Sequence, residues 1–85
     1  MINEYLDWTV FIKVRASMVE VVPEVEEKVS KDANLEDIGF DTFGMDTLRP
    51  LLEEKFSILI SNSELDSFKT VADIVEFVRK RSKKL

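Results

Sequence analysis

The chain has 85 residues, of which 45% are apolar, and a net charge of −5 at pH 7, so we predict one domain over residues 1–85 with a single modest core. It contains no cysteine and no histidine. Disulfides, thiolate metal sites, cysteine nucleophiles and hydrolytic triads with a histidine base are therefore excluded, and we do not expect an enzyme.

The charge is unevenly distributed along the chain. The last seven residues, RKRSKKL, hold five of the twelve bases and no acid, so residues 1–78 have seven bases against seventeen acids, a net charge of −10. Such a body repels phosphate backbones and suits basic partner surfaces. We interpret the basic tail 79–85 as a solvated helix end. A small nucleic-acid-binding or adaptor domain that uses this tail is the less favoured interpretation.

The first segment predicts a long helix. Apolar residues recur there at three- and four-residue spacing, at Trp8, Phe11, Ile12, Met18, Val19 and Val22, and Pro23 ends the pattern. The acids and the lysine within MINEYLDWTVFIKV fit neither a secretion signal nor a membrane span, so a soluble, cytoplasmic protein is the expectation.

Residues 23–41 predict a long loop. They are polar, with isolated apolar residues at Val25, Val29, Leu35 and Ile38 that we expect to hold the loop to the core. Loops of this length are uncommon unless they have a function.

A second helix is predicted to begin between Thr42 and Asp46 and to end near Phe56, with core-facing residues Leu48, Leu51, Leu52 and Phe56. Pro50 lies within this segment and lacks a backbone donor, so we expect a kink or a later start of the helix. SILI, residues 57–60, is predicted to be an extended connection, because no other segment offers a strand to pair with it.

The last part of the chain predicts two helices. SNSELDSF, residues 61–68, suits a short helix capped by Asn62 or Ser63. TVADIVEFVRK, residues 70–80, has Thr70 and Asp73 at the spacing of a capping box and an apolar face behind them.

A motif in the middle of the chain points to a known family. Its residues are Leu35, Glu36, Asp37, Ile38, Gly39, Asp41, Thr42 and Phe43. They resemble the EDLGxDSL signature of acyl carrier proteins, and the resemblance extends without a gap from Asp41 to Leu48, Leu52, Glu53, Glu54, Phe56, Ile60, Thr70 and Val71. DTFG and FSILI look more like D-alanyl carrier proteins, although that branch has two more residues and a tryptophan before the position of Thr70.

The resemblance implies an all-α four-helix bundle, with a long loop between helices 1 and 2 and a short third helix. It implies that residue 42 carries phosphopantetheine, which presents a thioester-linked acyl or aminoacyl group in fatty acid or secondary metabolite biosynthesis. Asp41 would help to hold the metal ion of the phosphopantetheinyl transferase. The composition agrees with an attached prosthetic group, because a chain without cysteine or histidine has no good nucleophile of its own to load with an acyl group. The start of a helix also favours a phosphate there.

These residues also have a purely structural interpretation. Thr42 replaces the serine of the family and suits the N-cap of a helix, in which case the protein is an unmodified, degenerate carrier that only binds partners. Asp41 suits a helix-start acid. Asp37, Asp41 and Asp46 do not follow the ligand spacing of a calcium-binding loop, so we expect no metal site.

The resemblance places partner docking on the second helix. Asp46, Glu53 and Glu54 are acidic there, Arg49 interrupts them, and Asp46 occupies a position that is usually apolar in the family. The expected partners are the transferase and acyl-loading or acyl-transferring enzymes with basic patches, bound weakly by a monomer.

The same helix carries a candidate acyl pocket. Its predicted lining is Met45, Leu48, Leu52 and Phe56. Core packing alone also explains these four residues and is the favoured interpretation, since any small bundle needs such an apolar seam.

Overall fold

A computed structural model describes residues 4–82, with side chains from residue 8 onward. Helix α1 spans Glu4–Val21, a 3₁₀ turn spans Pro23–Val25, α2 spans Thr42–Phe56, α3 spans Asn62–Ser67 and α4 spans Val71–Arg81. The predicted all-α fold of four helices, with a long loop and a short third helix, is confirmed. Within residues 4–82, no helix combines the length and the apolar character that crossing a membrane requires.

The core lies between the three long helices. Each contributes one fully or almost fully buried face, made of Val10, Val14 and Met18 on α1, Leu48, Leu52 and Phe56 on α2, and Val71, Ile74 and Val78 on α4. The face predicted for α1 is partly wrong, because Trp8 and Ile12 are 55% and 47% exposed. Apolar residues occur on both sides of α1, so their spacing alone does not identify the side that packs.

The long loop between α1 and α2 follows from the direction in which these two helices run. Glu20 near the end of α1 lines one groove with Leu51 and Lys55 near the end of α2, so α1 and α2 finish at the same end of the bundle. The chain must then return along the bundle before α2 begins. Val25 and Leu35 are buried and Val29 and Ile38 pack partly against the core, which confirms a loop held at intervals.

The far end of this loop is bound to the start of α4. The amide of Leu35 donates to the carbonyl of Lys69 at 2.9 Å, and the amide of Val71 donates to the carbonyl of Ala33 at 3.1 Å. At the opposite end, the Ser82 hydroxyl donates to the carbonyl of Phe56 at 3.0 Å. The starts of α2 and α4 therefore lie at one end of the bundle and their last residues at the other.

Helix α2 begins at Thr42 and includes Pro50, so of the two outcomes that we predicted the later start is wrong, and the kink stays a prediction. Pro50 is exposed, and Leu48 and Leu52 on either side of it are completely buried. Their packing maintains the helix although Pro50 cannot donate to the carbonyl of Asp46. After Ser57, which ends α2 with a φ of 56°, residues 58–60 form a connection without helix or strand, and its extended conformation stays a prediction.

Two capping boxes begin the last two helices. Ser61, not the predicted Asn62 or Ser63, caps α3, because its hydroxyl accepts from the amide of Glu64 at 3.1 Å and Glu64 accepts in return from the amide of Ser61 at 2.9 Å. The predicted box of Thr70 and Asp73 is confirmed. Hydrogen bonds from the amides of Lys69 and Thr70 lower the pKa of Asp73.

In the basic last turn of α4, Lys80 and Arg81 form ion pairs with glutamates. Lys80 lies 2.8 Å from Glu76, and Arg81 lies 2.5 Å from Glu64 with its guanidinium over the ring of Phe77. Residues 83–85 of the predicted basic tail lie outside the described residues.

Candidate functional site at the start of helix α2

The turn before α2 determines where Thr42 lies. Gly39 has a φ of 111°, a left-handed conformation that a side chain would strain. The next residue, Phe40, is buried and its amide donates to the carbonyl of Leu35 at 2.8 Å. This anchor brings Asp41 to the first position before the helix.

Asp41 is the N-cap of α2. Its backbone is extended, and Oδ1 accepts from the amide of Gly44 at 2.9 Å. Gly44 lies against Phe40, whose ring would be 3.4 Å from an added Cβ. The alternative prediction that Thr42 is the cap is wrong, because Thr42 already stands inside the helix as its first residue.

Thr42 is exposed, and among the described residues none makes a hydrogen bond with its hydroxyl. Within the described part of the chain, the fold therefore makes no use of this oxygen. The first-turn amides of a helix lack intrahelical acceptors and favour an anion. An exposed hydroxyl next to such amides fits the attachment of a phosphodiester.

A cleft of about 340 Å³ opens beside Thr42, between the returning loop, the start of α2 and the region of α3. We call its buried apolar residues the floor: Leu35, Phe40, Met45, Leu65 and Phe68. We call its polar residues the rim: Asn34, Glu36, Asp41, Thr42, Asp46, Asp66 and Lys69. The rim brings four carboxylates and one ammonium close to the attachment position.

The four residues of the predicted acyl pocket are not together in this cleft. Met45 lines it, whereas Leu48, Leu52 and Phe56 lie in the core and are at most 3% exposed. An acyl chain between the helices stays a prediction, and it would require the packed seam to open.

The four predicted docking residues fall into two pairs. Asp46 and Glu54 are exposed. Arg49 donates to Asn62 Oδ1 at 2.7 Å and to the carbonyl of Ile60 at 3.3 Å, while Glu53 Oε2 accepts from the amide of Ile60 at 2.8 Å. Arg49 and Glu53 thus hold the connection between α2 and α3, and their part in docking stays a prediction.

Three side chains near Thr42 were not among the site residues predicted from the sequence. Phe43 is 78% exposed directly after Thr42, and Asp66 and Lys69 complete the rim of the cleft. The position of Phe43 in the motif was an available signal. Asp66 and Lys69 join the site only through tertiary structure, since they are more than 20 residues away in sequence. Over the part of the chain with described side chains, no group of three acidic residues is arranged to hold a metal ion.

Comparison with known proteins agrees with this arrangement. The family model "Phosphopantetheine attachment site" matches residues 13–78. The acyl carrier protein of Borreliella burgdorferi strain ZS7 is 36% identical over 73 residues, which cover 85% of this chain and 91% of that protein. The acyl carrier proteins of Borreliella burgdorferi strain B31 and of Borrelia garinii subsp. bavariensis show the same identity and coverage.

Proteins of this kind are carriers and not enzymes, and phosphopantetheine is their prosthetic group. The matched region includes the turn at Gly39, the cap at Asp41 and the exposed hydroxyl of Thr42. Since both the sequence match and the helical bundle extend over most of the chain, it belongs to the acyl carrier protein family.

Proposed function

We propose that this protein carries an acyl or aminoacyl group as a thioester on a phosphopantetheine arm attached to Thr42. The observation that supports this most is the division of roles at the start of α2, where Asp41 caps the helix and the exposed hydroxyl of Thr42 bonds to no described residue. A hydroxyl that served as the cap would be engaged with the backbone.

The neighbouring residues would support the attachment in distinct ways. Asp41 fixes the first turn through the amide of Gly44, so the position of the Thr42 oxygen is set before any enzyme binds. The carboxylate of Asp41 also stands next to the hydroxyl in sequence, where it can help to hold the metal ion of a phosphopantetheinyl transferase. The arm would supply a thiol on a flexible tether, which the chain itself lacks.

The outward side of α2 is the proposed docking surface for the transferase and for acyl-loading and acyl-transferring enzymes. Asp46 and Glu54 offer exposed carboxylates to basic partners, and exposed Phe43 offers an apolar contact beside them. Arg49 and Glu53 complete this surface while holding the connection to α3. Contacts of this type are screened by salt and release quickly, as a carrier requires.

We propose that the protein is a cytoplasmic monomer that serves fatty acid or secondary metabolite biosynthesis. A D-alanyl-type carrier, which would hold an aminoacyl group, is one form that this function could take.

The side chain of Thr42 also favours a second candidate function. Its β-methyl group restricts the side-chain torsion and crowds the oxygen compared with serine. A carrier fold that binds partners through α2 without an arm is therefore the alternative.

Intact-mass measurement after incubation with a phosphopantetheinyl transferase and coenzyme A separates the two candidates. We expect the wild type to gain the mass of one phosphopantetheine group, and peptide mapping should locate it on Thr42. Thr42→Val, which keeps the shape and removes the hydroxyl, should gain nothing. A gain on Thr42→Ser without any gain on the wild type would refute modification of the native residue and support the unmodified carrier.

A further inference from the structure

The cleft beside Thr42 has a floor of apolar side chains that the surrounding protein largely covers. Its five apolar residues are at most 9% exposed, although they line the cleft. The gain from placing an alkyl chain against a surface is proportional to the apolar area that leaves water. Only part of the floor faces the cleft, so an alkyl chain lying on it would gain a modest amount of free energy, and the rim decides whether that gain is kept.

A cargo in the cleft would also cover the charged side chains of the rim. Asp46 projects from the first turns of α2 and Asp66 from α3, and both are exposed and line the cleft. Glu36 and Asp41 add two further carboxylates, against the single ammonium of Lys69. Removing water from carboxylates without giving them new partners is unfavourable. An alkyl chain in the cleft would do this to Asp46 and Asp66, because it offers them no hydrogen bond.

The seam between the helices offers no better place. Leu48 and Leu52 are completely buried, and Phe56 is only 3% exposed. A chain could enter only by separating side chains that already pack against each other, and close-packed interiors tolerate added methylenes poorly.

We infer that Asp46 and Asp66 are specificity-determining residues that keep long alkyl chains out of the cleft, so that the protein carries short or polar acyl groups exposed to solvent. This inference rests on the proposed function, since it concerns the cargo of an arm attached at residue 42. The carboxylates of Asp46 and Asp66 keep the mouth of the cleft hydrated.

The test compares two cargoes on one protein. All variants carry Thr42→Ser, so loading does not depend on modification of threonine, and a transferase attaches the arm from acetyl- or octanoyl-coenzyme A. Because Asp46 also belongs to the proposed docking surface for the transferase, the enzyme is used in excess and intact mass confirms complete loading of every variant before comparison. Two quantities are measured on each loaded form: the melting temperature by circular dichroism, and the rate of thioester hydrolysis at alkaline pH. Asp46→Val/Asp66→Val removes both carboxylates from the rim, and Asp32→Val is the control, since Asp32 is exposed and does not line the cleft.

With both aspartates present, the octanoyl and acetyl forms should melt within about 2 °C of each other, because a solvent-exposed chain does not stabilise the folded state. Their hydrolysis rates should agree within about twofold. In the double variant, the octanoyl form should melt several degrees higher and hydrolyse about tenfold more slowly, as expected for a chain buried about nine-tenths of the time. The Asp32→Val control should behave like the parent. If the double variant does not fold, Asp46→Asn/Asp66→Asn, which also removes both charges, is used and should show the same change in smaller degree.

Two results would overturn the inference. Protection of the octanoyl thioester in the parent would show that the cleft or the seam accepts an alkyl chain. Equal behaviour of the two cargoes after removal of both carboxylates would show that Asp46 and Asp66 do not control access. Failure of the proposed function is a separate result, because it appears as the absence of any mass gain on Thr42 in the wild-type chain.

Discussion

Removal of the α2 cap should destabilise the protein, whereas removal of the neighbouring hydroxyl should not. In Asp41→Ala the amide of Gly44 loses its acceptor at 2.9 Å, which costs about 1 kcal/mol for a typical N-cap. Loss of a negative charge at the helix start adds about 0.3–0.5 kcal/mol. At about 4–8 °C per kcal/mol for a domain of this size, the melting temperature should fall by about 5–12 °C.

Thr42→Ala removes a side chain that is exposed and that bonds to no described residue. Alanine is also the better helix former by up to about 0.7 kcal/mol, so stability should be unchanged or slightly higher. Thermal and urea unfolding followed by circular dichroism at pH 7 measures both variants. Asp37→Ala is the control, because Asp37 is an exposed aspartate nearby whose substitution removes one negative charge without removing a cap. If Thr42→Ala costs as much as Asp41→Ala, the hydroxyl serves the fold and the argument for its use as an attachment point fails.

Three other predictions concern stability. Pro50→Ala should stabilise the protein by about 2 kcal/mol, since proline costs about 3 kcal/mol inside a helix and stiffens the unfolded chain by up to about 1 kcal/mol; an unchanged urea midpoint would contradict this. Main-chain amides lower the pKa of Asp73 below 3.8, so its contribution is present above that pH and is lost as pH falls through the folded-state value. Urea midpoints of the wild type should therefore fall more steeply below about pH 4 than those of Asp73→Asn, and parallel curves would exclude this role. Glu53→Ala leaves the amide of Ile60 without its acceptor and should lower the free energy of unfolding by about 1–3 kcal/mol. Glu54→Ala, at an exposed position, is the control and should change it by less than about 0.5 kcal/mol. Equal urea midpoints for the two variants would show that the hydrogen bond from Ile60 to Glu53 is not stabilising.

Several elements were predictable because their signals are local. The capping box at Thr70 and Asp73 needs only residues three apart, and the connection without helix or strand after α2 follows from a short apolar run with no partner strand. The carrier motif around Thr42 is likewise contiguous. Such signals act within one turn of the chain, so they are present in the sequence before any packing occurs.

Two of the incorrect predictions concern choices between neighbouring candidates for a helix cap. Asp41 and Thr42 both suit an N-cap, and the buried anchor at Phe40 decides in favour of Asp41. Ser61 and Asn62 both suit the cap of α3, and the return bond from Glu64 decides for Ser61. In each case the residue type allowed two answers that differ by one position.

By itself the sequence determined the helical class, the order of the elements and the position of the candidate attachment residue, because periodicity, caps and the motif are encoded over short stretches. Only the tertiary structure decided which face of α1 packs, that the seam of Leu48 and Leu52 is closed, and that Asp46 and Asp66 share one cleft beside Thr42. The physical reason is that these outcomes depend on which surfaces meet when the helices assemble. Residues distant along the chain exclude water from one another there, and no local pattern records which residues those are.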